Sequence, residues 1–455
     1  MTADRFALYR AGSEPYAAAL NVFNSAVHAE PEAVVVPADE TELAYAVQAA
    51  HAAGAAVSLR SGGHGIAARA IQGDWVIDMR RFDRLTFDGS RVTAGAGLAW
   101  SHVDEFCAAH GIAVPGGTVS STGIAGLTLG GGIGWLLPQA GLTCDHLVAV
   151  KGVTGDGRAI RIDDTSDPAL MRFLRGLGHG LLAITEFEYE PVPIPVKVSA
   201  GSLVYHLADS SEVMDTLIGA ARDCPEYIGW SPALTWDGEL PVLSVDGMST
   251  GETTFDMWVQ EICKVLPIRS NVCLRRYPEA QSMLDNPARW GQRSSWRSVF
   301  TTGLSFEAVA YLAESFTHAP SAGCQIFVER MAGKAKTAVT GRPSAFPLRW
   351  ADFDVLIAAG WDSACADHAH RDWLATTKAG LCELLHQSPD SGTYANYADP
   401  AERLAALGPG PMEELAQVRS GIDPDGVFSY AFAAAPSTSG RRAYQGRPAN
   451  QGKGH

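Results

Sequence analysis

The sequence predicts an α+β protein of two domains, and three observations lead to that fold class. The first is a strand, a helix and a second strand within residues 31–60. The second is a proline-rich break at Pro191-Val192-Pro193-Ile194-Pro195, which interrupts regular structure. The third is the alternation of strand-like and amphipathic helical segments from about 196 to 388. We therefore expect a first domain over 1–195 and a second over 196–390.

The first βαβ unit is marked by its boundaries. Val34-Val35-Val36 predicts a short buried strand, and Asp39 is a suitable N-cap for a helix over about 40–53. Gly54 suits a left-handed C-cap, and residues 56–60 predict the second strand.

Later segments also contain local patterns that predict strands and helices. Residues 147–153 and 159–161 flank a Gly-Asp-Gly turn and predict a hairpin, and residues 184–189 alternate as a strand does. In the second domain, residues 241–245 predict a strand and residues 254–265 a helix.

Composition excludes several classes of protein. Of 455 residues, 46% are apolar and 19% are charged, which excludes a disordered chain. The formal net charge of −15 disfavours nucleic acid and anionic membrane surfaces as partners. With no signal-peptide core and no apolar run of membrane-spanning length, we expect a cytoplasmic protein. The eight cysteines contain no CxxC pair and predict reduced thiols.

Glycine is unevenly distributed: 17 of the 47 glycines lie between Gly54 and Gly134. Arg60-Ser61-Gly62-Gly63-His64-Gly65 directly follows a predicted strand. Glycines there allow backbone N–H groups to surround phosphate oxygens. The alternative is a tight surface turn that contains an ordinary histidine.

A second glycine cluster runs from Gly116 to Trp135. Its glycines predict neither a stable helix nor a regular strand, and its apolar residues distinguish it from a flexible linker. Such backbone is useful around a flat or phosphorylated ligand. The alternative is a structural loop between core elements.

One cluster of histidines and aspartates could be taken for a metal site. Near Cys365 lie Asp367, His368, His370 and Asp372. On a helix His368 and Asp372 share a face that His370 does not, which favours a solvated surface over a metal site.

Three arginines spaced by four residues, Arg289, Arg293 and Arg297, would share one face of a helix. A solvated surface is favoured over contact with an acidic substrate. Trp296 and Trp350 are predicted to be core residues.

An ordered set of motifs resembles one known family. The set covers nearly the whole chain and resembles the FAD-linked oxidases of the vanillyl-alcohol oxidase/PCMH superfamily, most closely the berberine-bridge-enzyme-like branch. It comprises Arg60 to Gly65, Val76 to Met79, Thr93 to Gly97, Gly123 to Gly134, Asp156-Gly157, Leu174 to Gly176, Ile184 to Phe187, Tyr394 to Asp399 and Asp423 to Phe428.

The resemblance implies a two-domain PCMH-type FAD-binding fold. Its substrate domain, an antiparallel sheet with helices, would be inserted at 196–390, and the FAD domain would have its core at about 30–195. Residues 391–435 would return to the FAD domain, and the polar tail 436–455 is expected to be disordered.

The resemblance also implies the cofactor site. His64 would be joined covalently to the flavin 8α-methyl carbon, which in the family raises the reduction potential. Many relatives have a second covalent bond through a cysteine where this chain has Val119, so we expect FAD linked through His64 only. The implied cofactor-binding residues are Arg60, Ser61, Gly62, Gly63, His64, Gly65, Val119, Thr122, Gly123, Gly126, Ile184 and Asn396.

The chain departs from the family elsewhere too. Leu177 to Leu182 lacks the usual asparagine, which predicts altered flavin contacts there, and Gly426 replaces another asparagine as a turn variant.

Tyr394 and Tyr397 are the acid–base candidates. In an extended segment they would point to opposite faces, so one of them would face the ring. Tyrosine needs positive charge or hydrogen bonds nearby to act as a base at neutral pH. We favour Tyr394, with Tyr397 second; the alternative is that both are packing residues.

The implied function is FAD-dependent oxidation of a secondary-metabolite alcohol or related C–H bond. Hydride would pass to flavin N5 and O2 would be the electron acceptor, so the partners are a small-molecule substrate and O2. Two alternatives stay open: a flavin monooxygenase of the same fold, and a redox-silent scaffold that templates a cyclisation. The sequence does not indicate an oligomeric state.

Overall fold

The computed structural model describes residues 5–285, 289–337, 341–388, 394–397 and 409–428. Part of the expected C-terminal return, including Asp399, and the expected tail 436–455 lie outside the described residues. The fold contains a four-stranded, a five-stranded and an eight-stranded sheet, with helices around them. The predicted α+β fold class is confirmed.

Twelve α-helices occur in these ranges. They are α1 (Glu14–Leu20), α2 (Glu40–Ala53), α3 (Trp100–Ala108), α4 (Ile124–Gly130), α5 (Leu137–Ala140), α6 (Pro168–Leu174), α7 (Ser210–Gly219), α8 (Phe255–Ile262), α9 (Tyr277–Gln281), α10 (Phe306–Thr317), α11 (Asp367–Leu384) and α12 (Pro409–Ile422). Helix α8 confirms the prediction for residues 254–265. Within the described part of the chain, no helix has the length and apolar character needed to cross a bilayer.

The first sheet contains the predicted βαβ unit. Its strands are β1 (Leu8–Tyr9), β2 (Ala33–Val35), β3 (Val57–Arg60) and β4 (Trp75–Asp78), in the order β1-β2-β4-β3. Strands β2 and β3 each pair in parallel with β4, and α2 connects them. The Asp39 side chain accepts hydrogen bonds from the backbone N–H groups of Thr41 and Glu42, and Gly54 ends α2 with φ +68°. Both predicted caps are confirmed.

The second sheet is antiparallel. Its strands and those of a small ribbon are β5 (Leu85–Phe87), β6 (Val92–Gly95), β7 (Ile112–Ala113), β8 (Leu147–Val153), β9 (Ala159–Asp163), β10 (Ala183–Tyr189) and β11 (Val192–Pro193). The sheet order is β5-β6-β10-β8-β9, while β7 pairs with β11. The β8–β9 hairpin and strand β10 confirm the predictions for these segments.

The third sheet is the largest and is also antiparallel. It contains β12 (Val198–His206), β13 (Ile228–Asp237), β14 (Leu240–Ser249), β15 (Arg269–Ser270), β16 (Cys273–Arg275), β17 (Arg293–Thr301), β18 (Cys324–Arg330) and β19 (Phe353–Trp361). The order is β15-β12-β14-β13-β18-β19-β17, and β16 also pairs with β12. Strand β14 includes the predicted strand at 241–245.

Alternate residues of the large sheet have different surroundings because successive side chains point to opposite faces. On β18, Cys324, Ile326 and Val328 are buried against a core that α7, α8, α10 and α11 share. The intervening Gln325 and Phe327 face a cavity toward the first two sheets. One face of the sheet therefore holds the domain together and the other is available for a site.

The second glycine cluster contains a helix, so the prediction that it would form none was wrong. Helix α4 includes Gly126 and Gly130. A Cβ on Gly130 would lie 2.0 Å from the Asn396 side-chain oxygen. Tertiary packing against the 394–397 segment therefore outweighs the low helix propensity of glycine.

The arginine series also differs from the helical prediction. Arg293 and Arg297 lie on strand β17, where an even separation places them on one face. Arg293 forms a two-point ion pair with Asp367, with N–O distances of 2.7 and 2.6 Å. On α11, the exposed His368 pairs with Asp372 at 3.1 Å, as predicted for a solvated surface. His370 instead is buried and stacks on Trp361.

All eight cysteines lie in the described part of the chain and are free thiols, of which Cys273 and Cys365 are exposed.

Candidate active site

A cavity of about 1090 Å³ lies between the glycine-rich segments and the open face of the large sheet. It is lined by thirteen of the fourteen residues that the sequence proposed for cofactor binding or catalysis. These are Ser61, Gly62, Gly63, His64, Gly65, Val119, Thr122, Gly123, Gly126, Ile184, Tyr394, Asn396 and Tyr397. The structure therefore brings together segments that are more than 300 residues apart in the sequence.

The two glycine clusters meet backbone to backbone. A Cβ built on Gly62 would lie 2.4 Å from the Gly123 nitrogen, and one on Gly123 would lie 2.4 Å from the Gly62 nitrogen. Neither position can accept a side chain unless the backbone moves. The Ser61 hydroxyl donates a 2.6 Å hydrogen bond to the Ala96 carbonyl, which holds the first cluster against the second sheet. The clusters thus form one continuous wall of main chain.

Gly123→Ala is expected to lower the unfolding temperature of the apoprotein, because backbone must move to accept the methyl group. Overpacking of this kind typically costs about 1–3 kcal/mol. Gly126→Ala is the matched control, since an added Cβ there meets nothing within 4 Å. Equal unfolding temperatures for both variants, measured by circular dichroism, would contradict the close contact.

Arg60 is the one proposed cofactor residue that does not line the cavity. Its guanidinium donates to the Asp78 carboxylate at 3.1 Å and to the Asn21 carbonyl at 3.0 Å. Asp78 is completely buried. Arg60 therefore supports the first glycine cluster from behind.

His64 lies on the cavity wall as a neutral imidazole. Burial lowers its pKa to about 4, and its buried Nε2 makes no hydrogen bond within the described structure. The ring stacks on Phe23, with centroids 4.2 Å apart, and Trp290 contacts it edge-on at 6.0 Å. Aromatic packing thus fixes the ring and leaves one nitrogen without a protein partner.

Residues 21–25 form an N-terminal strap that no sequence pattern indicated. The Phe23 N–H donates to the Gly63 carbonyl at 2.9 Å. The buried Asn24 amide donates to the carbonyls of Ile66 and Ser294, at 2.7 and 2.9 Å, and accepts from the Ser294 N–H. The strap therefore ties the first glycine cluster to strand β17.

Tyr394 and Tyr397 lie on the same side, so the prediction of opposite faces was wrong. The segment is a turn, in which the Tyr397 N–H donates to the Tyr394 carbonyl at 2.9 Å. A turn brings residues i and i+3 together, whereas a strand would separate them. The two rings meet edge to face, with centroids 4.7 Å apart.

The Tyr394 hydroxyl oxygen is held by two donors. The Gly132 N–H donates to it at 2.8 Å and the Asn396 amide at 2.7 Å. Asn396 also donates to the Leu127 carbonyl at 3.1 Å. Burial raises the pKa of Tyr394 despite these donors. Tyr394 and Asn396 therefore connect the turn to α4 and the loop that follows it.

Tyr397 contacts a carboxyl group that sequence analysis did not single out. Its hydroxyl donates to the two oxygens of Glu329 at 3.3 and 3.4 Å. Burial raises the pKa of Glu329 to about 7. Burial and the negative Glu329 also raise the pKa of Tyr397 well above its usual value.

A second carboxyl group, Asp354, lies directly across the sheet from Glu329 in the pairing of β18 with β19. It is completely buried and accepts a hydrogen bond from the Ser298 hydroxyl. Burial, and then the charge of Glu329, raise the pKa of Asp354 well above its usual value. We interpret Asp354 as the protonated member of this pair.

The segment 177–182, where the family pattern is interrupted, also reaches the cavity. His179, Gly180 and Leu182 line it. His179 Nε2 lies 2.8 Å from the Gly126 carbonyl, which can only accept, so this nitrogen donates. His179 thereby contacts α4 directly. Trp296, predicted as core, lines the cavity instead, and Trp350 is 44% exposed.

Comparison with known proteins finds one matching family and several relatives. Residues 31–163 match the FAD binding domain family. An FAD-linked oxidoreductase of Dictyostelium discoideum is 24% identical over 92% of both chains. (R)-6-hydroxynicotine oxidase of Paenarthrobacter nicotinovorans is 25% identical, over 85% of this chain and 87% of that protein. The solved structure of BBE-like 1 from Physcomitrella patens has 18% identity and a TM-score of 0.83, covering 95% of this chain and 97% of that one.

The residues present fit an FAD. Both glycine clusters line the cavity with main chain, which suits close approach of phosphate and a flat ring. His64 adds a neutral imidazole with an unpartnered nitrogen. With the matched domain, these features show an FAD-binding chain whose relatives over most of its length are FAD-linked oxidoreductases, and whose fold is shared with a BBE-like protein.

Proposed function

We propose that this protein oxidises a small organic alcohol, or a related C–H bond, by two electrons and passes those electrons to O2. The observation that carries the proposal is the contact of the cavity-lining Tyr397 hydroxyl with the Glu329 carboxyl. In this proposal residues 1–195 and 391–435 bind FAD, and residues 196–390 supply the sheet that faces the substrate.

When bound, FAD supplies the hydride acceptor, its N5 atom. Tyr397 takes the proton of the substrate hydroxyl while it gives its own proton to Glu329. A free phenolate is disfavoured, because burial and the adjacent carboxylate raise the pKa of Tyr397. Tyr397 therefore acts as a relay that stays neutral, and the proton ends on Glu329, whose pKa of about 7 suits that exchange.

We assign the relay to Tyr397 rather than to Tyr394 because of their partners. The Tyr394 oxygen accepts from Gly132 and Asn396, neither of which can take its proton. Tyr397, in contrast, donates to a carboxyl group. Tyr394 then serves to hold the turn and the loop after α4 in place.

We also propose that His64 is the one residue that binds FAD covalently. A neutral imidazole is nucleophilic, and the low pKa of His64 keeps it neutral at physiological pH. Val119, which lines the cavity, has no sulfur with which to make a second bond.

The test is anaerobic mixing of the purified yellow protein with a panel of aryl and allyl alcohols, followed by air. Loss of flavin absorbance and then one H2O2 per substrate oxidised would support the proposal. A panel that never reduces the flavin would contradict it and favour a redox-silent scaffold. Reduction without peroxide, and with oxygen incorporated into the product, would favour a monooxygenase.

A further inference from the structure

The cavity-facing side of the large sheet changes character along its strands. At one end Glu329 and Asp354 are directly paired across β18 and β19. Two residues further along β18, Phe327 is paired with Leu356. A further two residues along, Gln325 is paired with Ala358, and Ala358 is paired on its other side with Trp296. From Glu329 to Gln325, this side of the sheet is therefore first acidic, then apolar, and finally polar but uncharged.

The polar end of this surface is formed by two hydrogen-bonded side chains, those of Gln325 and Thr235. Gln325 donates a 3.0 Å hydrogen bond to the Thr235 hydroxyl on β13, and both residues line the cavity. This bond fixes the direction of the amide and leaves its oxygen and a second N–H as hydrogen-bonding groups. Glu329 lies four positions after Gln325 on the same strand, which corresponds to about 13 Å.

We call the cavity-facing side of β13, β17, β18 and β19 the floor of the cavity. The middle of this floor is unsuited to binding a chain of sugars. Phe327, Leu356 and Ala358 present carbon to the cavity, and Trp296 packs edge-on against Tyr397 at 5.3 Å. Sugar hydroxyls over these side chains would lose water without gaining a partner. A flat apolar body would bury the same surface favourably.

The charge of the floor disfavours an anionic substrate. Among the residues of β13, β17, β18 and β19, all within the described chain, those that line the cavity include the acid Glu329 and no arginine or lysine. A carboxylate or phosphate lying over these strands would therefore meet no cation from them. The arginines that line the cavity, Arg69 and Arg289, belong to other segments.

Resting on the function proposed above, we infer the class of substrate. We propose an uncharged molecule with a flat apolar body of two or three rings, whose far end carries a hydroxyl or carbonyl group bound by Gln325 and Thr235. The reacting alcohol of the substrate lies beside Tyr397. The apolar rings of the substrate then cover the floor between Tyr397 and Gln325.

Binding of rigid probes to the holoprotein tests this inference without turnover. Isothermal titration calorimetry, done anaerobically, would compare 4,4′-dihydroxybiphenyl, 4-hydroxybiphenyl and cellobiose. The second hydroxyl of the first probe should tighten binding by about 5–10-fold, the usual effect of one net hydrogen bond. Gln325→Leu should remove that preference, while cellobiose should give no binding at concentrations that saturate the biphenyls.

The exposed Gln260→Leu is the matched control and should keep the preference. A preference that survives Gln325→Leu, or cellobiose binding more tightly than the biphenyls, would overturn the inference. Because these titrations do not depend on oxidation, binding as expected without any reduction of flavin by alcohols would overturn the proposed reaction and leave the pocket assignment standing.

Discussion

Tyr397→Phe is expected to lower kcat by about 1,000-fold, within the range typical of a lost proton-transfer group. The variant keeps the ring and its edge-on contacts with Trp296 and Tyr394 but loses the hydroxyl that donates to Glu329. Stopped-flow measurement of flavin reduction reports the affected step directly. The substrate Kd should change little, since the shape of the cavity is retained.

The pH dependence of the same reaction follows from Glu329. A carboxylate is needed to take the proton, so kcat/KM should rise with pH through about 7 in the parent protein. Glu329→Gln should lose that rise together with most of the activity. Stability should move in the opposite direction: the folded pKa is above the ordinary value of about 4.3, so protonated Glu329 stabilises the fold. That stabilisation is lost as pH rises through about 7, and Glu329→Gln should not show the loss.

Tyr394→Phe tests whether Tyr394 has a structural role while Tyr397 relays the proton. It removes the acceptor of the buried Gly132 N–H, which should cost about 1–3 kcal/mol of unfolding free energy, with a much smaller effect on flavin reduction. The assignment would be reversed if Tyr394→Phe abolished reduction and Tyr397→Phe left it intact.

His64→Ala is expected to release all of the FAD when the protein is precipitated with acid, whereas the parent protein should keep its yellow colour in the pellet. The reason is that His64 offers a neutral, enclosed imidazole whose Nε2 has no hydrogen bond in the described structure. Flavin fluorescence of the denatured protein on a gel gives the same readout. The reduction potential of the variant should also fall, as the family resemblance implies.

The control is His206→Ala, at an exposed position on strand β12, which should retain covalent FAD. FAD that remains bound to denatured His64→Ala protein would show that another residue forms the bond. FAD released from the denatured parent protein would show that no bond is formed.

The first βαβ unit could be predicted from sequence because its signals are local. Asp39 bonds to backbone two and three residues away, and Gly54 ends the helix through its own φ of +68°. Such features depend on neighbours along the chain. The same holds for the β8–β9 hairpin, whose turn residues lie between its strands.

Other predictions were wrong where distant contacts overrode local preference. Helix α4 forms in a glycine-rich run, and Asn396 packs in the space that a Cβ of Gly130 would occupy. Tyr394 and Tyr397 share a side because the segment turns, and the turn is held by Gly132 and Leu127, more than 260 residues earlier.

By itself, the sequence determined the fold class, the two glycine clusters and the ordered motifs, containing His64 and the two tyrosines, that resemble those of FAD-linked oxidases. The tertiary structure alone decided which groups meet them. Glu329 and Asp354 lie 25 residues apart and become neighbours through the antiparallel register of β18 and β19. That register is set by packing of the alternate, apolar residues against the helices, a long-range property that no short motif encodes.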